Sequence, residues 1–274
     1  MSARTYLNGI EGAWIPTHDR GLMYGDGLFE TVLFVDGVAP LWPRHRTRLE
    51  AGVARLGFAL PPIDALLAVA QQASSGLARA AVRITVTRGV GERGYAPPVP
   101  AMPNWIVAAS SAPVVAPDWC ARGIRVRCCS LRLAAQPLLA GLKHLNRLEQ
   151  VLARAEWNDA EIAEGLLGDS AGRVIGATAA NLFAVRGGRL LTPALDECGV
   201  AGVCRAEVLA RREVAVGSLT WNELMHADEV FLTSSLRGIL PVRGIDAQTF
   251  APGAVTRGLQ QEWRALGLME PADG

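Results

Sequence analysis

Lysine is nearly absent from this 274-residue chain: of its 27 basic side chains, Lys143 alone is a lysine and the rest are arginines. Composition bias explains a surface written in arginine, and on that reading Lys143 is a leftover. The alternative is that arginine cannot replace it, since a guanidinium stays protonated at any accessible pH whereas an amine can become neutral and nucleophilic. Composition alone leaves both open.

Other shortages narrow the class. No apolar run approaches the roughly 18–20 residues that span a bilayer, and the start, Met-Ser-Ala-Arg-Thr-Tyr, lacks the apolar core of a secretory leader. The five cysteines (120, 128, 129, 198 and 204) are odd in number and form no C-x-x-C pair, which argues against a disulfide framework and a zinc site. Only four histidines occur, scattered at 18, 45, 144 and 226, so no histidine-rich metal centre is expected. A net charge of +1 leaves no basic arm for nucleic acid and no acidic tail. These absences predict a cytosolic protein that binds neither nucleic acid nor membrane.

What is present is a chain 50% hydrophobic with strand and helix patterns in both halves. Gly27 to Trp42, where Phe29, Thr31, Leu33 and Val35 alternate before Asp36-Gly37, predicts a β-hairpin closed by an Asp-Gly turn. Pro43 opens a stretch with Leu49, Val53 and Leu56 at helical spacing, and a second helix is expected over about 62–78. Strands are predicted at roughly 80–88, 104–111 and 123–131. From Lys143 to Trp157, Leu145, Leu148, Val151, Leu152 and Ala155 share one face, which predicts a helix starting near the lone lysine. Another hairpin, Asn181 to Thr192, turns at Gly187-Gly188, and helices near 202–212, 220–226 and 254–266 bracket a strand at about 228–233. The expected fold is α+β or α/β in two lobes. Residues 1–112 form the smaller N-terminal lobe, 113–120 a linker marked by Pro113 and Pro117, and 121–274 the larger lobe.

Two motifs point elsewhere. Gly89 to Gly94 spells G-x-G-x-x-G after a predicted strand, but Tyr95-Ala96-Pro97-Pro98 follows where a dinucleotide site needs a helix. Gly168 to Gly172 spells G-x-S-x-G, and Ser170, Asp196 and His226 fall in the chain order of an α/β-hydrolase triad. Arg173-Val174-Ile175-Gly176 suits a returning strand better than the helix that a nucleophile elbow requires, so a serine hydrolase is the remote alternative.

A third set of residues suits an anion and an amine. Gly199 to Arg205 precedes a helix pattern, where backbone N–H groups are presented to an anion. Thr233-Ser234-Ser235 ends a strand, and an arginine such as Arg48 could complete a phosphate clamp. If the phosphate belongs to pyridoxal phosphate, Lys143 gains a reason: an amine condenses with the cofactor aldehyde and then serves as acid and base.

At these residues the sequence resembles the fold-type-IV pyridoxal-phosphate enzymes, the family of aminodeoxychorismate lyase, D-amino-acid aminotransferase and the branched-chain aminotransferases. The resemblance runs nearly end to end. It is carried by Asp19-Arg20-Gly21, Gly25 to Thr31, His45 to Leu49 and Gly141 to Gln150. It implies two lobes with the cofactor between them and a homodimer with shared active sites. It also implies a Schiff-base lysine at Lys143, and a phosphate held by Arg48, the backbone of Val203 and Cys204, and the hydroxyl of Ser234.

The Gly141–Gln150 string and Thr87 to Tyr95 are more similar to the lyase than to the aminotransferases. The implied reaction is conversion of 4-amino-4-deoxychorismate to 4-aminobenzoate and pyruvate, toward folate, with a branched-chain or D-amino-acid aminotransferase as the alternative. Phe29, Arg93 and Tyr95 are candidate substrate-wall residues, and core or loop packing is the competing reading of each.

One position departs from the family. The family's glutamate at the pyridine nitrogen falls on Gly176. Without a carboxylate there the ring is a poorer electron sink. A carboxylate from elsewhere, a water, or a sink that is weaker yet sufficient are the open explanations, as is a homologue that binds cofactor with weak turnover.

Overall fold

The computed structural model describes residues 4–270, which divide into two units: residues up to Pro113 together with Leu142–Asn146, and Val114–Gly141 together with residues from Arg147 onward.

The first unit contains β1 (Arg4–Leu7), β2 (Ile10–Glu11), α1 (Arg20–Tyr24), β3 (Gly27–Val35), α2 (Trp42–Leu56), α3 (Ile63–Ser74), β4 (Arg79–Thr87) and β5 (Asn104–Ser111). Its five strands form an antiparallel sheet in the order β2-β1-β5-β4-β3. Helix α2 starts with Pro43 in its first turn, where a missing N–H costs nothing, and ends at Gly57 in the left-handed region (φ 73°). It buries His45, Leu49, Gly52 and Val53, a stripe at helical spacing. A Cβ on Gly52 would lie 2.5 Å from Leu28 Cδ1, so glycine lets the helix lie close on β3.

The expected Gly27–Trp42 hairpin is replaced by a longer pairing. Asp36 and Gly37 do turn with positive φ, but the return reaches only Val38, which exchanges two backbone bonds with Val35 (2.8 and 2.9 Å). Pro40 and Pro43 follow and cannot donate to a ladder. The partner of β3 is β4, from Gly27 opposite Thr87 to Val35 opposite Arg79.

The second unit contains α4 (Pro117–Ala121), β6 (Ile124–Leu133), α5 (Leu148–Arg154), β7 (Ile162–Asp169), β8 (Val174–Ala177), β9 (Asn181–Arg186) and β10 (Arg189–Pro193). It continues with α6 (Val203–Arg211), β11 (Ala215–Gly217), α7 (Trp221–Met225), β12 (Glu229–Ser234), β13 (Gly238–Ile245), β14 (Gln248–Thr249) and α8 (Ala254–Ala265). Its mixed sheet runs β11-β10-β9-β12-β13-β6-β7-β8, with β14 on β13. Leu166 joins a cluster with Val126, Leu182 and Val230, while Leu167 joins Cys129, Trp157 and Ile175; alternation sends successive residues to opposite faces. The hairpin at Gly187-Gly188 forms as expected, both glycines having positive φ. Within the stretch expected to be a linker, Pro117–Ala121 is a short helix.

Candidate active site

The helix expected to start near Lys143 begins only at Leu148. Residues 143–145 are instead stitched along the open edge of β3. Phe29 N–H donates to Lys143 O (2.9 Å), Leu145 N–H donates to Gly27 O (3.0 Å), and His144 bridges Leu28. An unpaired sheet edge is covered in this way, and the backbone committed to it cannot also make helical bonds. Helix α5 then leaves Leu148, Val151 and Leu152 exposed and buries Ala153.

The stitching fixes Lys143. Its Nζ lies 4.1 Å from the centroid of the buried Phe29 ring, which also carries the Arg83 guanidinium at 4.0 Å, both within cation–π range. Next along β3, Glu30 is 2% exposed and receives His45 Nδ1 at 2.6 Å and Arg48 Nε at 2.8 Å, with Arg48 Nη2 on the second oxygen. Burial raises the Glu30 pKa, but Arg48 and His45 outweigh it and bring the carboxyl down to about 2. Burial also holds the His45 pKa below its ordinary value, against the pull of Glu30, with Arg48 and Lys143 adding to the lowering. The imidazole is therefore neutral, and since Glu30 can only accept, Nδ1 carries the hydrogen. Arg48, the expected phosphate ligand, is thus gripped through two of its nitrogens by one carboxylate.

Of the other expected wall residues, Phe29 is buried, while Arg93 and Tyr95 are exposed on the loop after β4. That loop is anchored. Arg20 donates to the carbonyls of Gly94 (3.0 Å), Tyr95 (3.0 Å) and Ala96 (3.2 Å), and its Nε pairs with Asp26 at 2.8 Å. No helix follows Gly94 before α4 among the described residues, so the G-x-G-x-x-G string is not a dinucleotide site.

The second unit presents the other expected residues. Helix α6 begins at Val203 after Gly202, with no side-chain cap, and its first intrahelical bond is Ala206 N–H to Gly202 O (2.9 Å). The N–H groups in the first turn of a helix point out along its axis, and α6 has no side-chain cap of its own. The preceding loop is clamped by Asn181, whose Oδ1 accepts from Gly202 N–H (2.9 Å) and whose Nδ2 donates to Val200 O (2.8 Å). Gly141, two residues before Lys143 in sequence, pairs with the same loop: its N–H donates to Gly199 O and its carbonyl accepts from Ala201 N–H, both at 3.0 Å.

Directly across the β9–β12 ladder from Asn181 lies Thr233, two rungs beyond the stacked rings of Phe183 and Phe231. Cross-strand partners share a face, so the Thr233 hydroxyl and the Asn181 clamp are on one side of the sheet. Thr233 is 2% exposed and its Oγ1 has no hydrogen-bond partner among the described residues, a costly state that a ligand relieves. Ser234 Oγ accepts from Arg237 N–H at 3.3 Å. An uncapped helix start beside an orphaned buried hydroxyl fits a phosphate. Asn181 escaped the sequence reading, which had Thr233 only as part of the Thr233–Ser235 cluster, because register alone makes the two neighbours.

The serine-hydrolase alternative is not assembled. Ser170 is exposed in the β7–β8 turn, which Asp169 organises by accepting from the N–H groups of Ala171 (3.1 Å) and Arg173 (2.8 Å). His226 Nδ1 donates to Asn222 O (2.8 Å), and Asp196 pairs weakly with Arg173 at 3.9 Å, so Ser170, Asp196 and His226 share no hydrogen bond. Gly176 lies on β8 opposite Leu167, with no carboxylate of its own.

Residues 27–245 match the family model for amino-transferase class IV. Aminodeoxychorismate lyase of Vibrio harveyi is 38% identical over 93% of this chain and 97% of its own length. The crystal structure of 4-amino-4-deoxychorismate lyase from Pseudomonas aeruginosa superposes with a TM-score of 0.91 at 45% identity, covering 95% of this chain and 98% of that one. A putative branched-chain-amino-acid aminotransferase of Methanocaldococcus jannaschii is 33% identical over 96% of both chains. The chain belongs to the amino-transferase class IV family of pyridoxal-phosphate enzymes.

Proposed function

We propose that this protein is an aminodeoxychorismate lyase, releasing 4-aminobenzoate and pyruvate from 4-amino-4-deoxychorismate. The observation that carries the reading is the placement of the sole lysine. It is stitched to β3 with its ammonium on Phe29, two residues after a glycine that pairs with the uncapped α6 loop. In this reading Lys143 holds the cofactor covalently, and Arg48, the backbone of Val203 and Cys204, and Ser234 hold its phosphate, which sets the geometry of the reacting atoms. When bound, pyridoxal phosphate supplies a ring that accepts the electron pair left at the substrate carbon bearing nitrogen. The Lys143 amine would take the proton from that carbon and return one as pyruvate departs. Arginine could do neither, because it stays protonated.

Gly176 favours the lyase over an aminotransferase. Loss of pyruvate makes the product ring aromatic, so the substrate itself supplies driving force that amino transfer lacks. The similarity to the two lyases supports the same choice. A homodimer with shared sites, a cytosolic location and a place on the route to folate belong to the same proposal. Among the described residues no helix is long and apolar enough to cross a membrane.

The deciding assay compares 4-aminobenzoate release with amino transfer to 2-oxoglutarate by the cofactor-loaded protein. Release without transfer is expected, and transfer without release overturns the choice. Borohydride reduction is expected to add the cofactor's mass at Lys143. A protein that takes up cofactor but catalyses neither reaction is the weak-turnover homologue.

A further inference from the structure

Three arginines among the described residues are buried: Arg20, Arg88 and Arg205. The first two share Asp26, at 2.8 and 2.7 Å. Arg205, 9% exposed, has no acid within ion-pair distance among the described residues. Its Nε donates to Thr192 Oγ1 (3.3 Å) and its Nη2 to Pro193 O (3.0 Å), both neutral acceptors. Burial lowers its pKa below that of an ordinary arginine, with no carboxylate pulling the other way, yet a guanidinium stays charged. A buried cation left without an anion is costly.

Its place in the chain adds to that cost. Arg205 is the third residue of α6, and side chains on a helix lean toward its N-terminus, where the helix dipole is already positive. Strand register puts the same side chain on the side of the candidate phosphate site. Leu191 pairs with Ala184, so by alternation Thr192 stands on the face of the sheet that carries Phe183. Asn181 shares that face of β9, and Thr233 and Phe231 share it across the ladder. Arg205, bonded to the Thr192 hydroxyl, therefore lies on the side of the orphaned Thr233 hydroxyl and of the Asn181 clamp. An unpaired cation, the positive end of a helix and an unpartnered hydroxyl gather there, and each favours an anion.

We propose that Arg205 is the counter-charge of the cofactor phosphate: it stands behind the first turn of α6 and, without touching the phosphate, makes the site select a ligand that carries one. The proposal rests on the pyridoxal-phosphate reading above. In this division of labour the backbone of Val203 and Cys204 and the hydroxyl of Ser234 supply hydrogen bonds, and Arg205 supplies a full charge on this side of the sheet. Thr192 and Thr233 stand two strands apart, on the order of 10 Å. A unit charge at about 10 Å, in an effective dielectric near 20, changes the affinity for an opposite charge by about tenfold.

The test compares uptake of pyridoxal phosphate with uptake of pyridoxal, which offers Lys143 the same aldehyde and carries no phosphate. Each ligand is titrated, trapped on Lys143 by borohydride and read by mass, for wild type, Arg205→Met and Arg205→Lys. Arg205→Met is expected to raise the half-saturating concentration of pyridoxal phosphate about tenfold and to leave that of pyridoxal within about twofold. Arg205→Lys keeps the charge and is expected to stay within about threefold of wild type for both ligands. Arg205→Met weakening both ligands alike, or neither, overturns the proposal, because a residue that only props the fold does not distinguish them. Arg205→Lys as defective toward pyridoxal phosphate as Arg205→Met also overturns it, since charge would not then be what the site uses. A wild type that takes up neither ligand at Lys143 fails earlier, and overturns the pyridoxal-phosphate reading together with the proposal.

Discussion

Replacing Glu30 by glutamine removes the charge that Arg48 and His45 share. The carboxyl falls from an ordinary 4.5 to about 2 in the folded chain, which is roughly 3 kcal/mol of stability at neutral pH, at about 1.4 kcal/mol per pH unit. A carboxyl with a depressed folded pKa contributes this stability only above its unfolded value. It is lost as pH falls from about 4.5 toward about 2, with roughly 2 kcal/mol gone by pH 3. Glutamine keeps the shape and cannot titrate, so Glu30→Gln is expected to cost about 3–5 kcal/mol at pH 7, the range for breaking a buried charge pair, and about 2 kcal/mol less at pH 3.

Both chains should carry His45→Asn, which retains an N–H donor toward residue 30 and removes the imidazole titration. Because the chain has two units, the readout is hydrogen exchange of β3 amides, which reports opening of the first unit rather than a single global transition. A gap between the two chains that is the same at pH 7 and pH 3 would refute the argument that ionised Glu30 holds this cluster together.

Three further outcomes are expected. Gly202→Ala places a Cβ 2.0 Å from Asn181 Oδ1 and so breaks the clamp on α6; loss of one such bond weakens cofactor affinity by about tenfold, measured by equilibrium dialysis. Ser170→Ala leaves turnover unchanged, and a fluorophosphonate labels neither chain, since Ser170 has no histidine beside it. Cys129 and Cys198, buried and with thiols pushed up to about 11 mainly by desolvation, stay unmodified by iodoacetamide at pH 8 in the native protein, as peptide mass mapping would show.

The sequence by itself determined that an amine stands once among arginines, at Lys143, because the capacity to lose a proton is a property of residue type. It also determined most elements with strong periodicity or turn glycines, such as α2, the β9–β10 hairpin and α6, since those signals are local. It misjudged residues 143–147, whose helical spacing gave way to hydrogen bonds with Gly27 and Phe29, more than a hundred residues away. Only the tertiary structure decided which polar groups meet. Glu30 with Arg48, Asn181 with Gly202 and Thr233, and Glu164 with Thr178 are joined by strand register and helix placement, long-range pairings with no counterpart in local sequence. Gly176 shows the division most plainly: the sequence reveals that no carboxylate stands there, and only the fold shows that the position lies opposite Leu167 in the β7–β8 pair.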